Sequence, residues 1–103
     1  MVERAVLLLA LLPVAVTAEP RTDRQGELLH LLRQDCGACH GMTLKGGLGP
    51  PLLPTSLGER EPEDLARIIL HGVPGTPMPP WGFEIGPEEA MWLARQLKRG
   101  VPR

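Results

Sequence analysis

The chain has no tyrosine, one phenylalanine and two tryptophans, so aromatic residues make up 3 % of its 103 positions. A domain of this size buries a modest fraction of its surface even with a rich apolar complement. With Trp81, Phe83 and Trp92 as its only large rings, the chain is poorly equipped to build a core from its own side chains. Basic surplus is absent too. Eleven lysines and arginines face twelve acids, a net charge of −1. That excludes the phosphate-neutralising face that nucleic-acid binders need, and it removes strong non-specific attraction to an acidic membrane surface. No apolar run reaches the roughly 20 residues that span a bilayer. Only two cysteines occur, three residues apart. There are no internal repeats and no low-complexity run.

What is present begins with an export-like segment. Met1–Arg4 carries one basic residue, Val6–Val16 is aliphatic apart from Pro13, and Val16-Thr17-Ala18 supplies a small-x-small ending. This is the layout of a secretory signal peptide. The expected organisation is residues 1–18 as a cleaved signal and residues 19–103 as one domain. Cleavage removes Glu3 and Arg4 together, so the net charge stays at −1. The mature chain keeps eleven of the twelve prolines, losing Pro13, and is rich in glycine. Something other than side chains is expected to fill its middle.

Three helices are expected. Thr22-Asp23-Arg24-Gln25 fits a capping box, opening a helix through Leu28, Leu29, Leu31 and Leu32 to about Asp35, with His30 on its polar side. The second starts at Glu61-Pro62, places Glu63 and Asp64 in its first turn, and stops at Gly72. The third runs from Gly86-Pro87 to Lys98-Arg99-Gly100, with Ala90, Leu93, Ala94 and Leu97 inward and Trp92 on the flank. Glu59–Asp64 holds four acids against Arg60, which reads as a solvated helix start. Two Gly/Pro-rich connections, Gly41–Gly58 and Val73–Gly86, separate the helices, and no stretch alternates as a strand. Loops this long imply that they bind something.

Both cysteines lie in Cys36-Gly37-Ala38-Cys39-His40. C-x-x-C-H is the attachment pattern of c-type haem. Two cysteines at this spacing reach two former vinyl groups on one porphyrin edge, and the following histidine lies under the iron, which imidazole suits. Two other readings exist. A thioredoxin-like dithiol goes with a βαβ context that is missing. A zinc site needs four ligands, and recruiting His30 and His71 gives no common zinc spacing.

The second iron ligand has two candidates. Met78 sits among Pro74, Pro77, Pro79 and Pro80, which restrict its loop before any ligand binds. His71 is the rival, at a helix end. Met91 reads as core packing, and Met42 is too near His40 in sequence. Gly49-Pro50-Pro51-Leu52 offers the Pro50 carbonyl as acceptor for the other ring nitrogen of His40. Trp81 closes the Met78 loop and is a candidate contact for the ring.

CGACHG, then GPPL, then a helix, then M-P and a closing helix resembles the class I cytochromes c over essentially the whole mature chain. CGACHGMTLKGGLGPPL with HGVPGTPMPPW is more similar still to the small monohaem cytochromes of the c-55X type, associated with cytochrome cd1 nitrite reductase in denitrifying bacteria. The resemblance implies an all-α fold of three to four helices around one covalent haem c. It implies that Cys36 and Cys39 attach the haem, that His40 and Met78 ligate iron, and that Pro50 orients His40. It implies a periplasmic, monomeric electron carrier rather than an enzyme. Its partners would be periplasmic redox proteins, nitrite reductase or the proteins that assemble haem d1. It would hold no nucleic acid and no stable membrane insertion after signal cleavage. A haem sensor follows if Met78 is displaced easily. One departure stands out. Many members have glycine or alanine eight residues before the first cysteine, where the terminal helices touch, whereas this chain has Leu28 there.

Overall fold

The computed structural model describes residues 3–13 and 19–102, so the expected cleavage site at Val16-Thr17-Ala18 lies outside the described residues. Among the described residues every regular element is helical, and no helix is long and apolar enough to cross a membrane. Residues 3–13 carry no regular structure.

The first helical unit is longer than its sequence suggests. α1 (Thr22–Leu31) passes through a π-helical turn, Leu32–Cys36, directly into α2 (Gly37–His40). The rod therefore continues past Asp35 and carries the whole C-x-x-C-H motif on helix. A π turn inserts one extra residue per turn and re-aims the side chains that follow. Here it lets Leu28 and Leu32 face the core while Cys36, Cys39 and His40 line the cavity described below. The expected capping box at Thr22 does not form. Arg21 is the N-cap, and the Gln25 amide donates to the Pro20 carbonyl at 2.8 Å instead. Gln25 cannot serve as the partner of a threonine cap while it reaches back to Pro20.

The connection after His40 contains one short helix, α3 (Pro54–Leu57), opened by its proline. α4 (Pro62–His71) starts and stops where its signals place it. Pro62 is the first helical residue, and Gly72 ends the helix at φ +68°, a left-handed value that favours glycine. α5 (Pro87–Arg99) is the core helix. Ala90, Leu93, Ala94 and Leu97 are all buried, at the i, i+3, i+4, i+7 spacing of one helical face. Trp92 is only 6 % exposed, so it belongs to the core and not to the flank.

The crossing of the terminal helices uses a different distribution of small residues. Leu28 of α1 is fully buried, and so are Ala90 and Ala94 of α5. The alanines on α5 make room for the leucine on α1. Gly26 takes no part, since a Cβ built on it would meet nothing within 4 Å. Arg24 of α1 ties the same two helices through an ion pair to Glu89 of α5.

Candidate functional site

The i, i+3, i+4 spacing of Cys36, Cys39 and His40 puts three side chains on one side of the rod. They form one wall of an apolar cavity of about 470 Å³. That volume lies within the range of small-molecule and cofactor sites, roughly 300–1,000 Å³. Leu31 and Leu32 continue the same wall, Ile68 and Ile69 come from α4, and Leu93 and Leu97 from α5. Pro50, Met78 and Trp81 come from the two Gly/Pro-rich connections. All six residues singled out from the sequence therefore line one space.

His40 is held in a defined orientation. Its Nδ1 lies 2.7 Å from the Pro50 carbonyl oxygen. A carbonyl only accepts, so Nδ1 carries the hydrogen and Nε2 keeps its lone pair for a metal. The loop that delivers Pro50 is anchored to the motif by backbone bonds. The Gly46 amide donates to the His40 carbonyl at 2.8 Å, and the Gly49 amide donates to that of Cys39 at 2.7 Å. Gly49 lies so close to the imidazole that a Cβ there would sit 2.8 Å from Cε1.

The second loop is fastened to α4. The Trp81 and Gly82 amides donate to the Ile69 and Leu70 carbonyls at 2.9 and 3.1 Å, and the Val73 amide donates to the Met78 carbonyl at 3.2 Å. Met78 is half-buried at the cavity. Trp81 lines it and stacks on the exposed Phe83, with ring centroids 6.1 Å apart. The rival His71 is exposed at the end of α4 and does not line the cavity. Met42 is 62 % exposed, and Met91 packs partly buried against the core. Arg60 and Thr76 also line the space, although no motif points to either.

The thiols are free and half-buried. Burial first, then the Asp35 carboxylate, push the pKa of Cys36 up to about 11. Among the described residues no three His, Cys, Asp or Glu side chains group as a metal site.

Residues 24–95 match the family model described as cytochrome c oxidase, cbb3-type, subunit III. The chain is 46 % identical over 97 residues to cytochrome c55X of Paracoccus denitrificans, covering 94 % of both chains. The chain belongs to the cytochrome c55X family of small monohaem c-type cytochromes. Its fold is similar to the solved structure of the c-type cytochrome NirC, with a TM-score of 0.77 and 48 % identity over 80 % of this chain and 96 % of that one. It is also 41 % identical over 78 residues to the dihydro-heme d1 dehydrogenase of Pseudomonas aeruginosa, covering 76 % of this chain and 15 % of that protein.

This cytochrome carries covalent haem c. The residues present fit that group. The cavity is apolar, two unpaired thiols border it, and a histidine with a fixed Nδ1–H offers Nε2 beside them.

Proposed function

We propose that this cytochrome is a periplasmic single-electron carrier whose iron is ligated by His40 and Met78, with nitrite reductase as its electron acceptor. When bound, the haem supplies one-electron exchange between ferrous and ferric iron. The residues do the rest. Cys36 and Cys39 fix the ring by thioethers. Pro50 holds the imidazole so that it need not reorient between redox states. Met78 supplies a soft, neutral ligand that favours the ferrous state. The apolar walls exclude water and keep reorganisation small.

The observation that carries this reading is the presence of an oriented His40 and Met78 in one apolar cavity, with His71 outside it. Two protein ligands leave iron no open position, which suits a carrier and not an enzyme. The apolar segment Val6–Val16 supports export, with residues 1–18 removed and 19–103 retained. The mature chain would work as a monomer and meet its partners through a small transient interface.

The test is the visible spectrum of the protein matured with cytochrome c assembly machinery, alongside an alkaline pyridine haemochrome. The expected result is a c-type haemochrome together with the weak far-red band of sulfur–iron ligation, and a mature mass starting at Glu19. Covalent haem without the far-red band would move the second ligand away from Met78 and favour a sensor.

A second reading has its own support. The likeness to a dihydro-heme d1 dehydrogenase favours a part in haem d1 maturation. A deletion strain without nitrite reductase activity that regains it on addition of purified haem d1 would favour maturation over electron donation.

A further inference from the structure

We propose that Thr76 is a positioning residue for the methionine ligand: its hydroxyl links the Met78 amide to the Val73 carbonyl and so sets how readily the sulfur leaves the iron. The proposal rests on the reading of Met78 as an iron ligand given above.

The loop is short of donors. Pro77, Pro79 and Pro80 have no N–H, so Met78 carries the only backbone N–H of residues 77–80. That amide donates to Thr76 Oγ1 at 3.3 Å, and the Thr76 hydroxyl donates to the Val73 carbonyl at 2.7 Å. The same Val73 carbonyl accepts from the Thr76 amide at 3.1 Å, and the Val73 amide donates to the Met78 carbonyl at 3.2 Å. Residues 73–78 are therefore closed twice, once by backbone alone and once through a single hydroxyl. Val73 is a fixed point for both closures, since it lies one residue past Gly72, where α4 ends.

The hydroxyl acts where the prolines do not. Each proline ring fixes its own φ and restricts the residue before it. The ψ angle of Pro77 stays free, and it turns the whole Met78 backbone relative to Thr76. The bond from Thr76 Oγ1 to the Met78 amide bridges Pro77 and restrains that angle. A hydroxyl has one hydrogen and can accept as well. Thr76 gives its hydrogen to Val73, so although it borders the cavity it has none left to donate to a group inside it.

A neutral thioether is a weak ligand, and its occupancy depends on the loop that holds it. A looser Met78 amide raises the population with sulfur off the iron. The apparent affinity for an added ligand rises in proportion to that population. The worth of one net hydrogen bond corresponds to roughly a 2- to 12-fold change.

The test uses the full matured cytochrome with Thr76→Val, which keeps the shape and removes the hydroxyl, and Thr76→Ser, which keeps the hydroxyl. The far-red band of the unaltered protein is recorded first. Its absence there would remove Met78 as a ligand and this proposal with it, whereas a failure confined to the variants counts against Thr76 alone. Imidazole binding to the ferric form and CO binding to the ferrous form are then titrated beside denaturant unfolding. Thr76→Val is expected to bind imidazole roughly 2- to 12-fold more tightly, to take up CO faster and to weaken the far-red band. Thr76→Ser is expected to stay close to the unaltered protein. Should Thr76→Val fail to mature, Thr76→Ala makes the same deletion and carries the same expectation. A valine variant with unchanged imidazole affinity and a lower unfolding midpoint would overturn the proposal, because that marks a structural threonine only. So would a serine variant that binds imidazole as tightly as valine does, since the methyl group and not the hydroxyl would then hold the loop.

Discussion

The rod and α5 are held together in one way, and the two Gly/Pro-rich connections in another. Leu28, Leu32, Ala90, Leu93 and Ala94 interlock with almost no exposure, so this part of the chain makes its own core. The connections place Leu48 at 84 % and Phe83 at 77 % exposure, and they are fixed chiefly by backbone hydrogen bonds to α2 and α4. Of their apolar side chains, Leu52, Val73, Met78 and Trp81 line the cavity, whereas Leu44, Leu57 and Ile85 join the buried core. The lesson is that the rod and α5 fold mainly onto protein, whereas the connections divide their apolar side chains between that core and the haem cavity. The small aromatic content fits this division, since the cofactor supplies the ring area that the sequence lacks.

The largest expected effect comes from removing the cofactor. Burying on the order of 500 Å² of porphyrin at about 25 cal/mol per Å² contributes roughly 12 kcal/mol before entropic costs, comparable with the whole stability of an ordinary domain. The haem-free Cys36→Ala/Cys39→Ala protein is expected not to fold. A well-dispersed NMR spectrum of that variant would show instead that the rod and α5 suffice.

Next in size is a contrast between a buried and an exposed side chain. Leu93 is 1 % exposed and touches both the core and the cavity. Leu93→Ala is expected to cost ~2–5 kcal/mol by denaturant unfolding of the holo-protein. Met42, in the first connection, is 62 % exposed and does not line the cavity, so Met42→Ala is expected to stay within about 0.5 kcal/mol. Equal losses at the two positions would erase the distinction between the two halves.

The loop half is sharpened by a glycine. Gly72 has φ +68°, and a Cβ there would sit 2.6 Å from the Met78 carbonyl oxygen. Gly72→Ala combines left-handed strain with a backbone clash, so about 1–3 kcal/mol is expected. Because the clash falls on the residue proposed to ligate iron, the far-red band is expected to weaken as well. A Gly72→Ala protein with lower stability and an unchanged band would mean that the Met78 loop gives way without moving its side chain.

Much of this was legible in the sequence. Pro62, Gly72, Pro87 and Gly100 mark α4 and α5 because caps and breakers act within a turn of their own position. That Cys36, Cys39, His40, Pro50, Met78 and Trp81 would meet at one cavity was legible because short motifs carry them. The π turn at Leu32–Cys36 was not, since the apolar spacing of Leu28 and Leu32 reads as ordinary α-helix and nothing local announces an extra residue. Thr22 lost its cap because Pro20 gave Gln25 a nearer acceptor. Trp92 looked peripheral on the wheel of its own helix, whereas its burial depends on neighbours from elsewhere in the chain. Arg60 carried no motif, and its backbone is held by a side chain distant in sequence, Lys98 of α5, which donates to its carbonyl.

The smallest effect tests the tie across the self-packed half. Arg24 hydrogen-bonds Glu89, which holds the Glu89 carboxyl below its ordinary value of 4.5, with a further lowering from the Gly86 amide. A carboxylate whose folded pKa is depressed contributes stability above its unfolded pKa and loses it as pH falls through the folded value. Both side chains are partly open to water, so the contribution is small and screened by salt. Glu89→Gln isolates the charge. Its amide oxygen can still accept from the Gly86 N–H, as Glu89 does at 3.1 Å, so the start of α5 keeps its cap. The variant is expected to be slightly less stable near neutral pH and to lose less on acidification below 4.5. The two stability curves should converge at low pH and in high salt. Parallel curves would assign the effect of Glu89 to its hydrogen bond alone and leave the α1–α5 crossing to the leucine and the two alanines.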